Sequence, residues 1–257
     1  MSTSHQIYAS IVSCSLRTTT TTTAFSRTTR TMDPSQDFES SKLGTKEYWD
    51  SLYDRENTNF NEFGDIGEVW FGEESVERMV EWVTENAVCG ETTMVDLGCG
   101  NGHLLLELSN EGYQQLTGID YSEHAITLAK SVAKEQGRDD IHYEVVDLLS
   151  TEPGSWADNH SFDVVLDKGT YDAISLNPEQ EEADAKGEDG PRERYIKAVS
   201  KITDQYFLIT SCNWTMDELI ERFKPFFKYH SHVKYPTFSF GGHTGSKICT
   251  VAFEPLS

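Results

Sequence analysis

The chain is predicted to be an α/β protein built on a doubly wound, mostly parallel sheet with an antiparallel C-terminal hairpin. Three observations carry that prediction. From residue 92 onward, apolar runs of strand length alternate with stretches of helical spacing, the pattern of helices serving as crossovers between parallel strands. The strand runs are short and continuously apolar, as expected where helices cover both faces of a sheet. The tail changes texture, with two β-rich runs separated by the glycine-containing link GGHTGS, which reads as an antiparallel hairpin at the sheet edge.

Taken in order, residues 1–41 form a Ser/Thr-rich extension whose threonine run cannot build a core, and disorder is expected there. Three arginines and no acid before Asp33 give its start the composition of a mitochondrial transit peptide, and Met32 stands where an alternative start would remove residues 1–31. A neutral extension is the other reading. Residues 42–90 are expected to be a helical segment and lid. In KLGTKEYWDSLYDRE, Tyr48, Trp49, Leu52 and Tyr53 have helical spacing, and in EVWFGEESVERMVEWV, Ser75 is set to cap a helix with an apolar face of Val76, Met79, Val80 and Val83.

Residues 91–257 then supply the core: strands TTMVDL, QLTGID, IHYEVVDLL, FDVVLD and YFLIT, with helices through LLLELS, AITLAKSVAKEQ and RYIKAVSKI. The stretch NPEQEEADAKGEDGP, bounded by prolines and holding six acids against one lysine, reads as a solvated loop.

Composition narrows the function classes. Forty-three acids against 21 bases give a formal charge of -22, which disfavours a grip on nucleic acid phosphates and suits a basic protein partner. The five cysteines are scattered without metal-ligand spacing, so reduced thiols and no metal site are expected. No apolar stretch approaches the roughly 20 residues a membrane-spanning helix needs. A soluble, cytoplasmic monomer is the expectation.

The run MVDLGCGNG places Gly98, Gly100 and Gly102 after a strand that ends in Asp96. Glycines there let the backbone pass close to a ligand and let the next helix present free amides to it, which points to a nucleotide-like cofactor. A dinucleotide would call for GxGxxG, and a carboxylate at Asp96 would repel pyrophosphate. The acid suits a cofactor with a cationic amino group and a sulfonium, namely S-adenosylmethionine. Asp120, ending the GID of the second strand, is placed to accept both ribose hydroxyls. Asp147, ending the VVD of the third, could accept from the adenine amino group, with Leu148 offering an amide. Each acid alone could be a helix cap or surface charge; three at successive strand ends are hard to obtain by accident.

On these residues the chain resembles the seven-strand S-adenosylmethionine-dependent methyltransferases over about residues 43 to 255, which implies a seven-strand, Rossmann-like methyltransferase fold. A narrower signal, DKGTYDA at the end of the fourth strand, looks like the DKGTxDA signature of one branch of protein-lysine methyltransferases. Within that branch, LGTKEYWDSLYDRE, GDIGEVWFGEES and PTFSFGG followed by VAFEP resemble the family that methylates a lysine of translation elongation factor 1-alpha. The resemblance implies addition of one or two methyl groups.

Methyl transfer to lysine needs a neutral amine, which costs about 4 kcal/mol at physiological pH from a reference pKa near ~10.4. Asp167, followed by Gly169 and Tyr171, stands at the strand end nearest the expected methyl, and Asp167 with Tyr171 is the candidate catalytic pair that orients the amine. The same carboxylate could instead cap the turn through the Gly169 and Thr170 amides. Trp70 and Phe71, flanked by Gly67 and Gly72, are candidate substrate-binding residues: a lid whose rings flank the lysine stem, or else ordinary core aromatics. The Asn/Asp-Pro-Pro-aromatic turn of many small-molecule and nucleic acid amine methyltransferases is replaced here by DKGT, and no GxSxG elbow is present. Two rivals stay open: a mitochondrial lysine methyltransferase of a metabolic enzyme such as citrate synthase, and a non-catalytic cofactor-binding adaptor.

Overall fold

The computed structural model describes residues 40–235, 238–240, 243–245 and 248–256. The readings placed on residues 1–39 and on the side chains of PTFSFGG at 236–242 lie outside them. After a 3-10 turn at Lys42–Gly44 come helices α1 (Lys46–Phe63) and α2 (Glu73–Asn86). The core begins with β1 (Thr93–Leu97), α3 (His103–Asn110), β2 (Gln115–Asp120), α4 (Glu123–Glu135), β3 (His142–Val145) and β4 (Phe162–Lys168). It continues through α5 (Thr170–Ile174), α6 (Glu179–Lys186), α7 (Pro191–Ile202), β5 (Thr203–Ser211) and α8 (Met216–Phe223). The last strands are β6 (Phe227–Val233), β7 (Phe238–Phe240), β8 (His243–Gly245) and β9 (Cys249–Pro255).

Seven strands form one sheet in the order β3-β2-β1-β4-β5-β9-β6, parallel from β3 to β5 and antiparallel where β9 pairs with β5 and β6. The expected C-terminal hairpin is therefore present, with β9 seated inside and β6 at the edge. Its connection is no simple turn, because it carries a second small hairpin of β7 and β8. Strand order reverses between β1 and β4, and the crevice at such a switch point is where open α/β sheets take ligands.

Alternation along each strand divides the core into two layers. Met94, Leu116, Val164, Leu166, Leu208 and Ala252 face one layer, against Met79 and Val83 of α2, Leu105 of α3 and Leu128 of α4. Their strand neighbours face the other, where Phe207 and Phe253 pack with Phe223 of α8 and Phe227 at ring separations of 5.2–6.2 Å. The register pairs Asp96 with Leu166 and with Gly118, and Leu97 with Asp167. Asp96, Asp120 and Lys168 consequently share the first face at the carboxyl end of the sheet, while Asp167 points to the second.

Two local expectations are corrected. Helix α2 starts one turn earlier than a Ser75 cap would allow: Gly72 is its N-cap at φ 77°, and the buried Ser75 hydroxyl donates back to the Gly72 carbonyl at 2.7 Å. The acidic stretch after Asn177 is not a bare loop, since it contains α6. Three glutamates in the first turn and Lys186 in the last favour the helix dipole, and Gly187 ends it at φ 68°. Gln180 sinks inward, its amide donating to Asp184 and Glu193 and its carbonyl accepting from the Arg192 backbone N–H at 2.9 Å.

Candidate active site

The glycine turn after β1 is shaped by necessity, not preference. Gly98, Gly100 and Gly102 all have positive φ, and a Cβ at each would fall 2.2 Å from the Thr170 hydroxyl, 2.5 Å from the Tyr53 hydroxyl and 2.5 Å from the Tyr143 hydroxyl. The turn is thereby clasped by three elements, α5, α1 and β3. Asp96 is 3% exposed and Asp120 6%. Asp120 accepts the Gly100 amide at 3.2 Å through one oxygen and the Ser122 amide at 2.9 Å through the other. A carboxylate oxygen has two acceptor directions, so each keeps one for a further donor. Asp147 is exposed, its side chain accepting from the Leu149 amide at 3.0 Å, and Leu148 beside it is half-buried.

Burial dominates the electrostatics. Desolvation raises Asp96 to about 7 against the opposing Lys168 ammonium, and raises Asp120 to about 6 against its two amide bonds. Asp167 rises to about 7 for the same reason, in spite of its hydrogen bond from Tyr195. A carboxyl raised in the folded state adds most to stability while protonated, below the unfolded value of about 4, and that contribution is lost as pH rises through about 7. Asp96→Asn also leaves the Lys168 ammonium without this carboxylate, so the expectation concerns the trend: without cofactor, its melting margin relative to the native chain should grow between about pH 5 and about pH 7 and then level off. Calorimetric melting across that range checks it; a margin independent of pH would show that Asp96 is not held protonated by burial.

At the β4 end the structure buries both members of the candidate catalytic pair. Asp167 is 0% exposed. One oxygen accepts the Thr170 amide at 2.8 Å; the other accepts the Tyr171 amide at 2.9 Å and a short hydrogen bond from the Tyr195 hydroxyl. It caps α5 through amides one residue further along than Gly169 and Thr170. Tyr171 is a fully buried ring packed on Tyr195, Trp214 and Phe223 at 5.3, 5.8 and 5.2 Å.

The lid candidates separate. Trp70 is half-buried with its ring edge-on to Trp49 at 5.1 Å, inside an aromatic group continued by Tyr53. Phe71 alone faces the DKGT turn: a Cβ on Gly169 would lie 2.8 Å from its ring. Phe71 has φ 66°, the one positive value outside glycine among the described residues. Beneath this strap lies a cavity of about 10 Å³, room for a single water, bounded by Tyr53, Glu56, Glu68, Trp70 and Asn101.

Residues passed over as spacers inside the motifs prove structural to the site. The Asn101 amide donates to the Ile66 carbonyl at 3.0 Å, and Lys168 Nζ donates to the Trp70 carbonyl at 3.0 Å. Strand parity carried the signal for Lys168, since a residue two beyond Leu166 must share the face of Asp96. Among the described residues, no group of three or more His, Cys, Asp or Glu side chains could hold a metal ion.

The site fits S-adenosylmethionine on its donor chemistry. Two buried acids with unused acceptor directions converge beside a turn too tight for any side chain. The Tyr143 hydroxyl, buried against Gly102, lacks a hydrogen-bond partner, so a donor is left for a bound group.

Comparison with known proteins places these features. A family model described as a methyltransferase domain matches residues 90–248. The chain is 41% identical over 222 residues to EEF1A lysine methyltransferase 2 of Danio rerio, covering 86% of this chain and 91% of that protein. It is 40% identical over 226 residues to the Homo sapiens protein of the same name, covering 87% and 91%. With the protein-lysine N-methyltransferase efm4 of Schizosaccharomyces pombe it shares 43% over 232 residues, covering 83% and 94%. In fold it is similar to the N-methyltransferase NodS from Bradyrhizobium japonicum in complex with S-adenosyl-L-homocysteine, at TM-score 0.55 and 14% identity over 81% of this chain and 99% of that one. Magnesium protoporphyrin IX methyltransferase from Synechocystis with bound SAM gives TM-score 0.53 at 15% identity, covering 79% and 96%.

Proposed function

The chain belongs to the EEF1A lysine methyltransferase 2 family, and from that premise we propose that it transfers methyl groups from S-adenosylmethionine to the ε-amine of a lysine of translation elongation factor 1-alpha. The observation that supports this most directly is the set of acids at the strand ends: Asp96 for the cofactor's ammonium, Asp120 for its ribose hydroxyls, and Asp147 with Leu148 for its adenine. The cofactor supplies an electrophilic methyl on a sulfonium. The protein's part is to bind, to orient and to exclude water.

Asp96 and Asp120 set the depth and orientation of the cofactor from one face of the sheet. Phe71, over Gly169, gives an apolar wall that shields the neighbouring amine from water and lowers the cost of neutralising it. Asp167 contributes by holding the DKGT turn rigid from below, a positioning role. A net charge of -22 suits a basic protein partner, and the reading includes a cytoplasmic, monomeric enzyme, with one or two methyl groups added as the family resemblance implies.

The test is incubation of the purified chain with labelled S-adenosylmethionine and elongation factor 1-alpha, followed by peptide mass spectrometry. One lysine carrying one or two methyl groups is the expected product. Label confined to a mitochondrial enzyme in a parallel organellar extract, or binding without transfer to any protein, would overturn the substrate assignment.

A further inference from the structure

Residues 64–72 join α1 to α2 as a strap across the carboxyl end of the sheet, with glycines of positive φ at Gly64, Gly67 and Gly72. Two points that fix it to the core come from motifs otherwise explained by cofactor or reaction chemistry. Asn101 of the glycine turn holds the Ile66 carbonyl at 3.0 Å, while just beyond the strap His103 meets Glu73, the first residue of α2, at 2.8 Å. Lys168 of DKGT holds the Trp70 carbonyl at 3.0 Å, at the residue before the one whose backbone is strained.

Phe71 is bulky, and a left-handed backbone is strained at such a residue. Such a conformation persists only where the surroundings impose it. Here they do so from two sides, by the Lys168 bond immediately before it and by the fit of its ring onto Gly169, which has no Cβ to obstruct it. Lys168 is half-buried and lies on the sheet face it shares with Asp96 and Asp120, so its ammonium has acids behind it and a carbonyl in front. A neutral side chain at this place could neither reach the carbonyl nor balance those acids.

We propose that Lys168 is a positioning residue that latches the 64–72 strap over the cofactor turn, holding Phe71 against Gly169 in its strained conformation. The proposal rests on the cofactor reading above for its consequence, and on the strap geometry alone for its existence. With the latch removed, Phe71 relaxes toward negative φ, its ring leaves Gly169, and the strap opens about Gly64, Gly67 and Gly72.

Hydrogen–deuterium exchange on the full chain without cofactor tests the latch directly. A hydrogen bond from a charged donor is strong enough that Lys168→Met should raise amide exchange in 64–72 by about tenfold or more, with the core strands unchanged. Lys168→Arg, which keeps charge and donor, should restore most of the protection. Lys168→Gln is too short to reach and should behave as the Met variant, so it carries the test if Lys168→Met does not fold. Stopped-flow release of S-adenosylhomocysteine should quicken by about tenfold in Lys168→Met and recover in Lys168→Arg, with kcat and the cofactor KM worsening together, as for a loosened lid. Unchanged strap exchange in both neutral variants would overturn the latch. Failure of the native chain to bind S-adenosylhomocysteine would instead remove the cofactor reading, and the exchange result would still decide the latch.

Discussion

Asp120→Ala is expected to lower affinity for S-adenosylhomocysteine by on the order of 100-fold or more, measured by titration calorimetry. The magnitude follows from the bonds at stake: two hydroxyls donating to one carboxylate, each worth about 1.5–3 kcal/mol. Stability should change far less than affinity, because two effects oppose. The variant loses the acceptor for the Gly100 and Ser122 amides, yet it also removes a buried charge that desolvation has pushed up to about 6. Asp147→Ala is the internal comparison. Its carboxylate is exposed, so water competes for the same bond and a loss within about tenfold is expected. Equal losses at the two positions would mean that burial does not rank the two carboxylates, and unaltered binding in Asp120→Ala would remove the ribose assignment.

The contrast between these acids shows what kind of information a sequence carries. Strand ends were legible to within two residues, because the apolar runs stop near the acids: β2 ends on Asp120, β1 runs one residue past Asp96, and β3 ends two residues before Asp147. Side-chain direction was legible in principle, through the period of two along a strand and the register across it, and applying that parity to DKGT separates Lys168 from Asp167 onto opposite faces. What parity cannot supply is depth. Tyr171 stands two residues after Gly169 in a motif read as catalytic, and only the packing of α7 and α8 shows that its ring lies in the core. Helix α6 was hidden for a different reason: its sequence has almost no apolar face, and its stability comes from end charges and the inward turn of a single Gln180. Ser75 misled because a hydroxyl before an apolar run is the usual cap, whereas Gly72 supplies the backbone angle that this entry requires.

Asp167→Ala separates the two roles open to that carboxylate. If it orients the amine directly, transfer slows and thermal stability is untouched. The observed bonds give a different expectation, because the substitution strips a cap from α5 and leaves the Tyr195 hydroxyl without its acceptor in the core. A lost cap costs about 0.5–2 kcal/mol and a stranded buried hydroxyl about 1–3 kcal/mol. The relief of an ionised buried carboxyl offsets part of this at neutral pH, so a net loss of about 1–3 kcal/mol, or roughly 2–12 °C in melting temperature, is expected. Activity should fall with it, through displacement of the turn that carries Lys168, Gly169 and the site of Phe71. Tyr195→Phe makes the distinction sharp, since Tyr195 touches the carboxylate from the side of α7. It should reproduce a share of the stability loss and of the rate loss, which an amine-facing Asp167 gives no reason to expect. Full stability with greatly slowed transfer in Asp167→Ala would return the residue to the reaction itself, and would require the α5 turn to move far enough in the complex to bring a fully buried carboxylate to the substrate.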